Sequence, residues 1–152
     1  MSEGEKPPGF LLKGVPHAAA IGMHVVEVKP GEALVRVAYD ERFIGNPQTG
    51  VIHGGIITTI LDNASGIAVS AKLGTFGQIA TLDLRIDYMK PATPGEVIFA
   101  HAECYKLTRN VAFVRGTAFH TDRGDPIATS AAVFMLGTKR EAGANLKPEG
   151  GA

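Results

Sequence analysis

The sequence predicts an α+β domain in which one long helix packs on an antiparallel sheet. Residues 53–73 carry apolar side chains at steps of three and four, which is the helical period. Runs of strand-like composition, separated by turn residues, lie on both sides of this segment. With 152 residues, of which 45% are hydrophobic and 20% charged, the chain suits one globular domain with its own core.

The first predicted elements are two short strands that form a hairpin. They lie in segment 23–39 (MHVVEVKPGEALVRVAY), on either side of the turn Lys29-Pro30-Gly31. The second strand alternates, and one of its faces is expected to carry Ala33, Val35, Val37 and Tyr39. Segment 40–50 (DERFIGNPQTG) is rich in Asn, Pro and Gly and predicts a loop.

The long helix comes next, because a segment of this length without a turn signal is long for a strand. Gly74 predicts its C-cap. Its apolar positions are Ile56, Ile57, Ile60, Leu61, Ala64, Ile67, Ala68, Ala71 and Leu73. Four further strands are predicted at 78–89, 96–107, 110–121 and 127–137. In the first of these, one face is buried and the other is polar or lines a site, with Leu82, Leu84, Ile86 and Tyr88 opposing Thr81, Asp83, Arg85 and Asp87.

Both ends of the chain are polar and contain Pro and Gly, so residues 1–9 predict a flexible leader and residues 139–152 a flexible tail around a domain at 10–138. The N-terminus has no apolar core of signal-peptide length, and no apolar stretch is long enough for a membrane span. The single Cys104 cannot form an internal disulfide and is expected to act as a small buried hydrophobe. We therefore expect a cytoplasmic protein with no membrane partner.

Several function classes lack support in the sequence. Fifteen basic residues balance fifteen acidic ones, so no net field attracts nucleic acid. The five His show no metal-binding spacing, and no metal site is predicted. Nucleotide-binding glycine loops and the GxSxG elbow are also missing.

The start of the long helix is a candidate anion site. Gly54 and Gly55 lie where the first N–H groups have no intrahelical partner and the helix dipole is positive. Such donors can hold a carbonyl oxygen that becomes negative during acyl transfer, as in an oxyanion hole. The alternative is a glycine-rich turn with His53 near the N-cap.

Asp62 is the one acid in the apolar helix, and it must find solvent, a donor or a ligand pocket. A carboxylate in such surroundings is a candidate general base or nucleophile. In the alternative interpretation, Asp62 lies on a polar stripe with Thr58, Thr59, Ser65 and Ser70, solvated or bonded between subunits.

The spacing of these two features bears on the assembly. Asp62 lies eight residues after Gly54, which on a helix means about 12 Å along the axis and about 80° around it. Two groups so placed cannot both touch one small carbonyl group. If both act on one bond, Gly54 of one chain must face Asp62 of another, as in a two-fold dimer with composite sites.

These residues resemble a known family. Asn46, a short loop, His53-Gly54-Gly55, Asp62 nine residues after the His, and a strand that contains Thr81 and ends in DYMKPATPGE resemble the hotdog-fold acyl-CoA thioesterases of the phenylacetic-acid-degradation type. The resemblance covers residues 20–137. It implies a curved antiparallel sheet of five to six strands around the helix, an acyl-CoA substrate without a further cofactor, and homodimers that pair into homotetramers.

The resemblance also implies roles for individual residues. Asp62 would attack the thioester carbonyl or activate water to do so, and Gly54 of the neighbouring subunit would donate its N–H to the carbonyl oxygen. Asn46 would orient water or the carbonyl, and His53 would brace its loop. Thr81 matches a position where the family often has Ser to position water. The loop from Asn46 to His53 is one residue longer than the family pattern.

Further residues are candidates for substrate contact. Gly55 would let the ligand approach the backbone, and Lys90, Lys106 and Arg109 would meet the phosphates of coenzyme A. For each basic residue the alternative is a solvated side chain. The acyl group would lie against Ile56, Ile57, Leu61 and Phe76, whose ordinary role is core packing.

The predicted activity is hydrolysis of an acyl-CoA thioester to a carboxylic acid and free coenzyme A. Two alternatives stay open at this point. One is a hotdog-fold enoyl-CoA hydratase or dehydratase, in which His53 and the helix carboxylate move protons. The other is a non-catalytic acyl-CoA binding protein on the same fold. The sequence does not decide the acyl group, or whether Asp62 acts as nucleophile or base.

Overall fold

The computed structural model describes residue 12 and residues 14–137. The predicted leader 1–9 and tail 139–152 lie outside the described residues. The elements in chain order are α1 (Pro16–Ala20), β1 (His24–Lys29), β2 (Glu32–Val37), β3 (Ile44–Asn46), β4 (Val51–Ile52), α2 (Gly54–Leu73), β5 (Ile79–Tyr88), β6 (Ile98–Leu107), β7 (Val111–Phe119) and β8 (Ala128–Leu136). The predicted order of two strands, a long helix and four strands is confirmed.

Six of the strands form one antiparallel sheet in the order β1-β2-β6-β7-β8-β5. The helix α2 lies against one face of this sheet, over β2, β6 and β7. The expected alternation in β2 is confirmed, because Ala33, Val35 and Val37 are buried beneath the helix. Within the described residues, no helix has both the length and the apolar character that a bilayer crossing needs.

Small residues let the helix lie close to the sheet. The sheet positions that are buried beneath α2 are rich in alanine: Ala100, Ala102, Ala112, Ala118, Ala128 and Ala132. At Gly116 the approach is so close that a Cβ atom would lie 2.3 Å from the Ser130 Oγ atom and 3.1 Å from Leu61 Cδ2. A larger side chain there would separate helix and sheet and cost core contacts. Cys104 is buried in the same core, as expected, and burial raises the pKa of its thiol.

The bounds of α2 follow from its two ends. His53 is the N-cap, in extended conformation, and its ring nitrogen Nδ1 accepts a hydrogen bond from the Gly55 N–H at 2.8 Å. Gly74 ends the helix in the left-handed conformation with φ of 67°, which only glycine adopts without a steric cost. Both the helix and its predicted C-cap are therefore confirmed.

Four short elements were not predicted: α1, a 3-10 turn, β3 and β4. Segment 40–50 contains a 3-10 turn (Glu41–Phe43) and β3, which pairs with β4 in a separate small sheet. The five-residue α1 begins with a proline at its first turn and packs on α2. Elements this short have too few residues to show a period, and tertiary contacts stabilise them.

Candidate active site

Asp62 lies in the middle of α2, is half-buried, and lines an open cleft of ≈ 270 Å³. Its Oδ1 atom accepts a hydrogen bond from the Thr81 hydroxyl at 2.9 Å. The rest of the cleft is mostly apolar, with walls formed by Leu12, Val15, Ile67, Phe76, Ile79 and Phe134. The carboxylate thus stands beside a space that could accept an apolar group.

The alternative interpretation of Asp62 required a polar stripe along the helix. Ser65 and Ser70 are instead buried, and the Ser65 hydroxyl donates to the Leu61 carbonyl at 2.7 Å. Ser65 thus faces the core, whereas Ser70 lines the same cleft as Asp62. Among the described residues that line this cleft, Asp62 is the one carboxylate, and Asn63 and Ser70 are its polar neighbours from the same helix.

A β-bulge brings Thr81 to this position. Strict alternation along β5 would place Thr81 on the same face as Asp83, away from the helix. The register shifts between these two residues, so that Thr81 pairs with Phe134 and Asp83 pairs with Val133. Cross-strand partners share a face of the sheet, and the buried Phe134 faces the helix. Thr81 consequently points toward Asp62.

The second candidate feature is the start of α2. The Gly55 N–H is occupied by the His53 ring, and a Cβ atom at Gly55 would lie 2.8 Å from that ring's Nδ1. Gly54 is the first residue of the helix, and its N–H has no intrahelical acceptor. Among the hydrogen bonds of the described residues, none is donated by this group. Gly54 thus supplies the donor at the helix start that remains available to a ligand.

Tyr88, which sequence reasoning placed only on the buried face of a strand, lies directly over Gly54. Its hydroxyl donates to the Gly54 carbonyl at 2.9 Å, and its ring would lie 3.4 Å from a Cβ atom at Gly54. The sole sequence signal for this contact was the position of Tyr88 at the end of the strand in the DYMKP motif.

Gly54 opens into a cleft of ≈ 370 Å³ that is different from the cleft of Asp62. Its lining includes Val51, Ile57, Tyr88, Met89 and Lys90, together with Gly54 itself. Since α2 is continuous from Gly54 to Leu73, the separation of about 12 Å along the axis holds for Gly54 and Asp62. One chain therefore does not bring these two predicted residues together.

Asn46 lies at the end of β3 on an exposed turn. Its side-chain oxygen accepts from the Gln48 N–H at 3.0 Å, and its backbone carbonyl accepts from the Gly50 N–H at 2.9 Å. This turn leaves the amide NH₂ group of Asn46 unengaged. The His53 N–H donates to the Phe43 carbonyl at 2.7 Å, which ties the segment before Asn46 to the helix start.

The three predicted basic residues lie at opposite ends of the sheet. Lys90 lines the Gly54 cleft and forms an ion pair with Asp125. Lys106 and Arg109 are exposed near the β6–β7 turn. This turn lies beside the start of β5, since the Leu136 N–H donates to the Asn110 carbonyl and Leu136 pairs with Ile79. The ten residues of β5, about 30 Å, separate the two ends.

The predicted acyl contacts divide between the two clefts and the core. Phe76 lines the Asp62 cleft, and Ile57 lines the Gly54 cleft. Leu61 is fully buried in the core, and the partly buried Ile56 packs against the core. Among the described residues, no three His, Cys, Asp or Glu side chains are grouped as a metal site would require.

Comparison with known proteins identifies the class. The family sequence model of the thioesterase superfamily matches residues 49–127, which include the helix start, Asp62 and Thr81. A putative esterase of Halobacterium salinarum is 36% identical over 75 residues, and this match spans 47% of the chain and half of that protein. Human acyl-coenzyme A thioesterase 13 is 31% identical, with 74% of this chain and 79% of that protein covered. The medium/long-chain acyl-CoA thioesterase YigI of Escherichia coli is 26% identical, with 81% and 86% covered.

Solved structures agree with these relatives. A crystal structure of a Pseudomonas aeruginosa protein is 41% identical, with a TM-score of 0.76 over 84% of this chain and 95% of that one. The phenylacetic acid degradation protein PaaI of Thermus thermophilus is 25% identical, with a TM-score of 0.70 and 80% and 98% covered. The fold and these relatives identify a thioester hydrolase with the hotdog architecture. The chain belongs to the thioesterase superfamily, and the predicted resemblance is confirmed.

Proposed function

We propose that the protein hydrolyses acyl-CoA thioesters at a site that two subunits share. Two features of α2 support the proposal together. Asp62 is hydrogen-bonded to Thr81 beside a mostly apolar cleft, and the free N–H of Gly54 opens into a second cleft. Two relatives that the chain matches over most of their length are acyl-CoA thioesterases by name. The acyl group would occupy the Asp62 cleft, and coenzyme A would leave as the free thiol.

In the proposed reaction, Asp62 either attacks the thioester carbonyl carbon or takes a proton from a water that attacks it. The electron pair of the carbonyl double bond moves to oxygen, where the Gly54 N–H of the other subunit stabilises the charge. Collapse of this intermediate breaks the C–S bond, and the thiolate takes up a proton. If Asp62 attacks first, water then hydrolyses the acyl anhydride to regenerate the carboxylate.

The proposed dimer is supported by the exposed edge of the sheet that β5 forms. This ten-residue strand pairs with β8 on one side and stands at the edge of the sheet. Apolar side chains are exposed near this edge: Leu82 of β5 is 52% exposed, and Met135 of the neighbouring β8 is 50% exposed. A long exposed edge of this kind favours pairing with another strand.

Two-fold antiparallel pairing of β5 with its copy would also complete the site. Thr81, which holds Asp62, lies near the start of β5, and Tyr88, which holds Gly54, is its last residue. Antiparallel pairing brings the start of one strand beside the end of the other. The Asp62 of one chain then approaches the Gly54 of its partner, and two equivalent sites form. Pairing of such dimers into homotetramers rests on the family resemblance alone.

The remaining assignments are also part of the proposal. Asn46 would orient water or the carbonyl from the Gly54 side through its NH₂ group. Lys90 would meet coenzyme A near the Gly54 cleft, and Lys106 and Arg109 would be available to the phosphates. The enzyme would work in the cytoplasm and need no cofactor beyond the coenzyme A of its substrate.

The test is replacement of Asp62 by Asn. The amide keeps an oxygen that can accept the Thr81 hydrogen bond, but it removes the base and nucleophile. We expect thiol release from a panel of acyl-CoA thioesters to fall by about 10³-fold with folding intact, since removal of such groups costs orders of magnitude. The matched control is Asp83→Asn, an exposed carboxylate on the same strand as Thr81, which should retain turnover.

Unchanged turnover in Asp62→Asn would refute the mechanism. Hydration of an enoyl-CoA without thiol release by the wild-type protein would favour the hydratase alternative. An acyl-CoA ligand that raises the melting temperature, without hydrolysis of any thioester in the panel, would favour the binding protein.

A further inference from the structure

We propose that Tyr88 is a positioning residue that orients the Gly54 N–H for the carbonyl oxygen of the substrate. The inference rests on the proposed function, in which Gly54 supplies the oxyanion donor. It starts from one observation about the first turn of α2. The peptide unit between Gly54 and Gly55 is held at both ends by side chains, with Tyr88 bound to its carbonyl and His53 bound to its N–H.

The hydrogen bonds form a short chain. The Thr58 hydroxyl lies 2.8 Å from the Tyr88 hydroxyl, and the Tyr88 hydroxyl donates to the Gly54 carbonyl at 2.9 Å. The Thr58 hydroxyl also lies 3.3 Å from the Gly54 carbonyl, so the Tyr88 and Thr58 hydroxyls, each with a single proton, meet at this one acceptor. On the other side of the same peptide, the Gly55 N–H donates to Nδ1 of His53 at 2.8 Å.

These bonds matter because Gly54 has no Cβ atom to restrict its rotation. The peptide unit that carries the Gly54 N–H begins at the His53 carbonyl, which accepts from the Ile56 N–H at 3.0 Å. Peptide units are planar, so fixing the units before and after Gly54 fixes the direction of its N–H. Tyr88 holds the unit after it, and an oxyanion donor acts only when it is already aligned.

The position of Tyr88 argues against a role in the core. Its side chain is 53% exposed and lies at the end of the edge strand. The strand end is itself held by the main chain, where the Met89 N–H donates to the Ile127 carbonyl at 2.9 Å. Loss of the Tyr88 hydroxyl should therefore leave the strand and the fold in place and change mainly the first turn of α2.

The test is Tyr88→Phe, which removes the hydroxyl and keeps the ring over Gly54. We expect kcat for acyl-CoA hydrolysis to fall about 10-fold while KM stays within about twofold, because the oxyanion forms only in the transition state. Amide hydrogen exchange at Gly55 should become several-fold faster, and the melting temperature should stay close to that of the wild type.

Tyr39→Phe is the matched control. The Tyr39 hydroxyl also donates to a glycine carbonyl, that of Gly50, at the same distance of 2.9 Å, but outside the first turn of α2. Tyr39→Phe should keep the wild-type kcat. Equal losses in both variants, a kcat for Tyr88→Phe within twofold of wild type, or lost kcat with unchanged Gly55 exchange would each overturn the inference.

Asp62→Asn, assayed in parallel, separates the two proposals. If Asp62→Asn is inactive while Tyr88→Phe has the wild-type kcat, the proposed function stands and the role of Tyr88 falls. If the wild-type protein releases no thiol from any acyl-CoA, the proposed function falls and the catalytic role of Tyr88 falls with it.

Discussion

Proline at position 54 would remove the proposed oxyanion donor while preserving the helix start. Gly54 is the first helical residue of α2, a position that proline favours because its N–H is not used within the helix. The residue before a proline must be extended, and His53 already has φ of −64° and ψ of 135°. Gly54 is helical and has no positive φ, so its backbone is compatible with the φ of about −65° that proline requires. Gly54→Pro therefore deletes one hydrogen-bond donor and little else.

The expected loss follows from the value of such a donor. Removal of one oxyanion-hole N–H typically costs about 10²–10³ in kcat, or roughly 2.7–4 kcal/mol of transition-state stabilisation. The control is Gly54→Ala, which keeps the N–H and adds a methyl group at an ordinary contact distance of 3.4 Å from the Tyr88 ring. We expect Gly54→Ala to remain within about 10-fold of wild type, since the donor itself survives.

The assay is continuous detection of free thiol with saturating acyl-CoA, alongside circular dichroism to show that each variant is folded. If folded Gly54→Pro turns over as fast as Gly54→Ala, the Gly54 N–H is not the oxyanion donor. A mixture of Gly54→Pro and Asp62→Asn chains, allowed to exchange subunits at equal amounts, also tests the shared site. Half of the dimers become mixed, and each contains one intact composite site, so activity should return to about one quarter of wild type. A site within one chain would give no recovery.

Two further predictions concern polar contacts of the sheet. Thr81→Val should lower kcat about 10-fold with little change in KM, because Asp62 loses its 2.9 Å hydrogen-bond donor. Thr81→Ser keeps the hydroxyl and should stay within about threefold of the wild-type kcat. Steady-state kinetics of both variants checks this prediction, and equal kcat values for the Val and Ser variants would contradict it. The His101 hydrogen bond lowers the pKa of Glu32 below its ordinary value of 4.5. The ionised carboxylate therefore stabilises the fold above about pH 4.5, and this contribution is lost as the pH falls through the lowered pKa. The melting temperature of Glu32→Gln should therefore be below wild type at pH 6 and converge with it toward pH 3, while the control Glu41→Gln should show no such convergence.

The helix and its candidate site residues were accessible to sequence reasoning because their signals are local. The apolar period and Gly74 fixed the bounds of α2 to within one residue, and the N-cap role of His53 was one of the two interpretations considered for the helix start. Thr81 illustrates the limit. Strict alternation would place it opposite to Leu84, and only the bulge after it turns its hydroxyl toward Asp62. A bulge depends on the packing of β5 against β8, which the residues of β5 alone do not encode.

From the sequence alone it follows that two groups with complementary chemistry, the Gly54 N–H and the Asp62 carboxylate, lie eight residues apart on one helix. This follows because helix geometry is set by neighbouring residues in the chain. The surroundings of each group depend on how the whole chain folds: Asp62 lies beside a mostly apolar cleft and Thr81, and Tyr88 lies over Gly54. The Thr81–Asp62 contact joins residues that are 19 positions apart in the chain, and the Tyr88–Gly54 contact joins residues that are 34 positions apart. Both contacts depend on strand register and on how closely the helix and the sheet pack, and these arise from the whole core at once.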